Sequence, residues 1–172
     1  MQRARVQGVL LREAPEEHRV AADTVLLALG RTPNTEGLHC EVAGVERATS
    51  GHIQVNDNLR TSNPRIFAAG DVIGKQQFTH AADAMARAIV RNALFLGRER
   101  WSDRVVPWST YSQPEVAHVG LSIVDAEKDS TLTCIRVPFG DLDRVKAEGG
   151  EAGFVKVFAD RSGRIVTASA AG

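Results

Sequence analysis

Cysteine is nearly absent from this chain. Cys40 and Cys134 are the two among 172 residues. They lie too far apart in sequence for a CxxC pair and supply too few thiolates for a zinc knuckle. Two free, mostly buried thiols in a reducing cytoplasm are the expected state. Net charge is absent as well: 21 Lys plus Arg face 21 Asp plus Glu. No net field therefore draws nucleic acid or an anionic membrane. No apolar run approaches the ~20 residues that span a bilayer. The start, Met1-Gln2-Arg3-Ala4-Arg5, passes through Val6-Gln7-Gly8 into a charged stretch. It has no long apolar segment, so no secretory signal is expected. From these absences a cytoplasmic chain is expected, with neither nucleic acid nor membrane as partner.

Several chemical motifs are also missing. No GxGxxG dinucleotide fingerprint occurs. The run Gly70-Asp71-Val72-Ile73-Gly74-Lys75 is one residue short of a Walker A loop, and no Ser or Thr follows it. Such a loop can neither wrap phosphate nor hold magnesium. No serine sits in a GxSxG elbow. His39 and Cys40 are adjacent, a spacing that cannot build a tetrahedral metal site. No metal site and no catalytic residue is assigned.

What is present begins with Ile66-Phe67-Ala68-Ala69-Gly70-Asp71-Val72. Four apolar residues lead into Gly-Asp, which reads as a buried strand delivering one carboxylate onto a glycine turn. A helical segment follows Phe78-Thr79-His80. A carboxylate accepts from hydroxyls, and a helix start offers N–H groups and a positive dipole end. Together they suit a polyhydroxylated, anionic cofactor. A simple Gly-Asp turn closing a core strand explains the same residues, and both readings stand at this level.

Around that stretch, Val6 to Leu11 and Arg19 to Leu29 are strand candidates separated by Glu13-Ala14-Pro15-Glu16-Glu17. Val25 to Leu29 is apolar at every position, as in a strand covered on both faces. Gly30 and Pro33 end it. His52 to Val55 reads as a short strand, and Thr61 to Pro64 as a turn. The clearest helix runs from Ala81 to Leu96, with Thr79 as N-cap and Gly97 at its end. Asp83, Arg87 and Arg91 form its polar stripe, and Met85 belongs to its core face. His80, near the helix start, is structural or cofactor-lining, and His118 is a satisfied strand histidine. Beyond Val105 the pattern becomes an antiparallel α+β unit. Its strands are Val105 to Tyr111, Leu132 to Val137, Gly153 to Ala159 and Arg164 to Ala168, with a short helix at Ile123 to Lys128. Asp141, Asp143, Arg144 and Glu148 read as a solvated loop or an interface ion-pair set. Ala170-Ala171-Gly172 follow a strand directly, which predicts an exposed sheet edge there.

One order of segments carries a resemblance: Ala28 to Asn34, Ile66 to Asp71, Phe78 to Ala82, Pro107 to Tyr111, then Pro114-Glu115-Val116-Ala117-His118-Val119-Gly120. It resembles the flavoprotein pyridine nucleotide-disulfide oxidoreductases, including dihydrolipoamide dehydrogenase, glutathione reductase and mercuric reductase. Phe78 to Gly97, Tyr111 to Gly120 and Asp143-Arg144 with Gly153-Phe154 look most like the mercuric-reductase-like branch. The resemblance implies an α/β fold, part of an FAD/NAD(P)-binding Rossmann-like domain, followed by an incomplete α+β interface domain. It implies that residues 1–35 end an NAD(P)-binding domain, 36–103 form the C-terminal part of an FAD-binding domain, and 104–172 begin the homodimer interface. Asp71 would bind flavin ribityl hydroxyls, with Gly70 admitting the backbone. Phe78, Thr79, His80 and Ala81 would present N–H groups to the isoalloxazine. Gly30 and Arg31 would lie near the pyridine nucleotide site.

The implied cofactors are FAD and NAD(P)H, and the implied acceptor is a disulfide, a metal ion or a similar group. The family's Gly-rich loops, CxxxxC redox pair and His-Glu pair have no counterpart here, and His80 replaces a proline of some relatives. The chain thus reads as an inactive piece of a longer enzyme, or as a dimerisation or binding module derived from it. A flavoenzyme without a disulfide is a third class, against which Pro107 to Gly120 argues.

Overall fold

The computed structural model describes residues 9–13, 16–95, 97–148 and 153–172. The chain divides into two compact units, Met1–Thr32 and Pro33–Gly172.

In the first unit, β1 (Val9–Glu13) and β2 (Glu16–Val20) form an antiparallel hairpin, in register from Val9 opposite Val20 to Glu13 opposite Glu16. The expected strand from Arg19 to Leu29 stops at Val20, and residues 21–30 have no regular structure. Leu26, Leu27 and Leu29 are 83%, 79% and 93% exposed. An apolar run becomes a strand through ladder hydrogen bonds to a neighbour. Among the described residues no segment pairs with this one. Residues 6–8 of the first strand candidate, and Ala14-Pro15 of its turn, lie outside the described residues.

The second unit begins with turns and bridges around a small core. Leu59, Ala81 and Met85 are 1%, 1% and 0% exposed and pack with Ile53, Ile73 and Trp101. The segment Ile66 to Ala69 is not the buried strand that its apolarity predicts. It pairs locally with residues 59–61 through one bridge, Arg60 to Phe67. Thr61 N–H donates to Ile66 at 3.0 Å, and Ala68 N–H donates to Leu59 at 3.1 Å. Thr61 and Asn63 build the intervening turn, Thr61 Oγ1 donating to the Asn63 carbonyl at 3.0 Å. His52 to Val55 likewise shortens to a single bridge at Ile53.

Helix α1 (Thr79–Leu94) has the expected amphipathic pattern, with Ala81, Met85 and Ala88 buried. Asp83 and Arg87 pair one turn apart at 2.9 Å on its exposed side. Thr79 is not its N-cap. Phe78 holds that position with φ −124° and ψ 144°, and Thr79 is the first helical residue.

A five-stranded antiparallel sheet follows, in the order β3-β4-β7-β6-β5. Its strands are β3 (Trp108–Thr110), β4 (Val116–Gly120), β5 (Thr133–Pro138), β6 (Phe154–Ala159) and β7 (Ile165–Ala171). Helix α2 (Ile123–Lys128) packs on β7. Strand β3 is one edge of the sheet. Strand β7 corrects the expectation of an edge at the last strand: it lies in the sheet centre between β4 and β6. Thr167, 1% exposed, donates to the Val119 carbonyl at 3.0 Å and ties β7 to β4. The charged run 141–148 is a loop only in part, because Asp143–Glu148 is a helix, α3.

Candidate functional site

The Gly-Asp segment is a single 3-10 turn, Gly70–Ile73, closed by Gly74 in the left-handed region at φ 67°. Gly74 N–H donates to the Asp71 carbonyl at 3.1 Å. Only a residue without Cβ fits there: a methyl on Gly74 would meet the His52 ring at 2.7 Å. Ile53 N–H donates to the Val72 carbonyl at 2.9 Å and pins the turn to the preceding loop. Gly70, itself at φ 77°, lies on helix α1, where an added Cβ would stand 3.3 Å from Ala82. Its amide donates to Met85 Sδ at 3.2 Å. Asp71 is exposed beside these buried neighbours.

The start of α1 has no side-chain cap. The first intrahelical hydrogen bond runs from Ala82 N–H to the Phe78 carbonyl, 3.0 Å. The amides of Thr79, His80 and Ala81 therefore have no intrahelical acceptor and carry the positive end of the helix dipole. The His80 side chain turns elsewhere. Its ring stacks on Phe78 at 5.4 Å, and Nε2 meets the Pro107 carbonyl at 2.7 Å. Gly70, Asp71 and residues 78–81 thus share one region, through the packing of the turn on the helix. Gly30 and Arg31 belong to the first unit, where both are exposed and Gly30 has φ 126°.

One carboxylate, Glu99, braces the far end of α1, and a second, Asp57, holds the segment that follows the helix. Hydrogen bonds from Arg91 and then Arg104 hold Glu99 at a pKa of about 2, well below 4.5. Ser102 and then Arg100 do the same for Asp57, also to about 2. Asn92 and Glu99 exchange two hydrogen bonds of 2.9 Å, from Asn92 Nδ2 to the Glu99 carbonyl and from Glu99 N–H to Asn92 Oδ1. Sequence reasoning missed this brace and the Met85 contact. Neither has a motif, because the partners are seven and fifteen residues apart.

Other candidates resolve as structure. His118 Nδ1 meets Ser169 Oγ at 2.6 Å across the β4–β7 pair, a satisfied strand histidine as expected. Cys40 is buried, whereas Cys134 is exposed and corrects the expectation of burial. It lies on β5, an edge strand whose residues are all exposed. Among the described residues, no three His, Cys, Asp or Glu cluster as metal ligands. Among them too, no helix is long and apolar enough to cross a membrane.

Residues 2–88 match the family model described as pyridine nucleotide-disulphide oxidoreductase, and 106–172 match that family's dimerisation domain. The chain belongs to the pyridine nucleotide-disulphide oxidoreductases. Among its relatives in this family is a mercuric reductase of Staphylococcus aureus, 42% identical over 113 residues, covering 66% of this chain and 21% of that protein. A dihydrolipoyl dehydrogenase of Pseudomonas aeruginosa is 34% identical over 163 residues, covering 92% and 34%. Solved relatives include the HOCl-induced flavoprotein disulfide reductase RclA from Escherichia coli, at TM-score 0.79 and 28% identity over 95% of this chain and 38% of that one. LpdA from Mycobacterium tuberculosis gives TM-score 0.80 at 28% identity, over 97% and 37%. The chain thus spans about a third or less of the curated relatives' length. Members of this oxidoreductase family use FAD and NAD(P)H, and its dimerisation domain indicates homodimers in the family.

Proposed function

We propose that this chain is part of an FAD-dependent oxidoreductase that passes hydride from NAD(P)H through flavin to a disulfide, a metal ion or a similar acceptor. The observation that carries the reading is the exposed Asp71 on a glycine turn seated against the uncapped start of α1. The donor set fits a flavin. Asp71 would accept hydrogen bonds from the hydroxyls of the ribityl chain. Gly70, without a side chain, leaves room for close approach of that chain to the backbone. The amides of Thr79, His80 and Ala81 would serve the N1–O2 edge of the isoalloxazine, where a helix N-terminus favours negative charge. Bound FAD supplies the two-electron chemistry, and the protein supplies grip, orientation and field. Gly30 and Arg31 lie toward the nicotinamide cofactor in this reading. Residues 1–35 close the NAD(P)-binding domain, 36–103 belong to the FAD-binding domain, and 104–172 form the homodimer interface, in a cytoplasmic enzyme.

By itself the 172-residue chain is expected to be inactive, because it carries neither a Gly-rich pyrophosphate loop nor a CxxxxC pair. The purified chain should emerge without stoichiometric flavin and should not oxidise NADPH. Stoichiometric flavin together with NADPH turnover would overturn that inactivity.

A second reading, an inactive dimerisation or binding module derived from the same family, is favoured by the dimerisation-domain match over 106–172. Dimers that form without flavin, and no FAD-dependent change at Asp71, would decide for the module.

A further inference from the structure

We propose that Met85 is a positioning residue for the flavin-facing turn. Its thioether sulfur holds the backbone amide of Gly70, and through it the carboxylate of Asp71, against helix α1. The inference rests on the flavin reading above.

Gly70 N–H donates to Met85 Sδ at 3.2 Å, and both residues are buried, Met85 at 0% exposure. Ala82 and Met85 lie three apart on one face of α1, so the turn meets the helix at two successive points. At Ala82 the contact is packing, and at Met85 it is a hydrogen bond. A thioether is a weak acceptor. Within the helix the backbone carbonyls are committed to their own ladder, which leaves the sulfur to receive this amide.

The chemistry separates two roles for the same side chain. If Met85 only fills space, leucine serves equally, because Met and Leu exchange with little change in volume. If the sulfur holds Gly70, leucine leaves a buried N–H without an acceptor, a defect that proteins rarely tolerate. The turn then relieves itself by rotating that amide toward water. Asp71 is the next residue, so the carboxylate moves while the core stays filled. Ile53 holds the far side of the turn at Val72, with the His52 ring lying against Gly74, and neither replaces the lost bond at Gly70.

The test uses the nitrogen-labelled 172-residue chain as wild type, Met85→Leu and Asp71→Ala, with FAD itself as the probe, titrated to millimolar concentration. In the wild type FAD should shift the amides of Gly70, Asp71 and residues 79–81. In Met85→Leu the Gly70 amide should exchange about tenfold faster, and FAD affinity should fall about tenfold, with the melting transition little changed. Met1 is the other methionine in the chain. Selenomethionine therefore adds a direct signature: a scalar coupling between selenium at position 85 and the Gly70 amide proton, which packing alone does not produce.

Absence of that coupling overturns the proposal, and so does a Met85→Leu chain with unchanged FAD affinity beside a weakened Asp71→Ala chain. In that last case the flavin reading still stands. If Asp71→Ala binds FAD as the wild type does, or the wild type shows no shift at these amides, the flavin reading fails and the role of Met85 falls with it. Should Met85→Leu fail to fold, the selenium coupling decides.

Discussion

Gly120 and Gly163 both lie at positive φ and differ in their surroundings, which separates two sources of strain. Both have positive φ, 101° and 82°. A Cβ at Gly163 meets nothing within 4 Å. At Gly120 it would lie 2.3 Å from the Val166 carbonyl oxygen and 2.8 Å from Thr167 Cα. Those atoms belong to β7 and pair with β4, so they cannot retreat without opening the ladder. Gly163→Ala should therefore cost about 1 kcal/mol, the conformational term alone. Gly120→Ala should cost at least about 2 kcal/mol more, through a backbone clash. Urea unfolding of the two variants measures the difference, and equal losses would show that the β7 backbone yields. Neither residue differs from other glycines in the sequence, because the distinction lies in a strand some forty-five residues away.

At the scale of elements, α1 is open at one end and braced at the other. Its N-terminal amides lack a side-chain cap, while Arg91 and Asn92 of its last turns bind Glu99, and Asp57 collects Arg100 and Ser102. Both carboxylates have folded-state pKa values of about 2, below ordinary values of 4.5 and 3.8. A depressed carboxylate pKa means stability that is present above the ordinary value and lost as pH falls through the folded one. The second unit should therefore lose melting temperature as pH drops from about 4.5 toward about 2. Glu99→Gln should start lower and show a shallower acid slope, as read by thermal melts across that range. Parallel acid slopes in wild type and variant would remove Glu99 from the account.

Helix α1 itself was legible because a sixteen-residue amphipathic period without Gly or Pro has few other outcomes. Strands β3, β5, β6 and β7 were legible from alternation and turn residues, whereas β4 was foreshadowed only by His118 as a strand histidine. Residues 25–29 were not, because apolarity marks a strand only where a partner completes the ladder, and exposure here reverses the expectation. Helix α3 was hidden by its charge, since Asp143–Glu148 has no apolar stripe to betray it. At the site, the Gly-Asp turn and the following helix start could be read from residue type. Their mutual seating on Ala82 and Met85 could not, because packing between segments leaves no local pattern.

For the whole molecule, the open question is what the sheet unit is for when flavin is absent. The sheet centres on β7, flanked by β4 and β6, and leaves its edge strand β5 exposed along its length. Ile135 and Val137 on that strand are 53% and 40% exposed, and Val105, Tyr111 and Ile165 are 66%, 84% and 63% exposed. A stable homodimer covers about 800 Å² on each partner, mostly without charge at its centre. The homodimer proposed for residues 104–172 should therefore form by apolar burial, with the balanced net charge contributing little. Sedimentation velocity of the flavin-free chain should show mass rising from one copy to two with concentration. Added salt should leave that equilibrium in place, because screening weakens ion pairs and not apolar contacts. Dissociation by salt would assign the association to exposed ion pairs such as Lys156 with Glu127 or Arg164 with Asp160, freed to exchange partners between copies. A single copy at every concentration would leave the sheet unit without its proposed role.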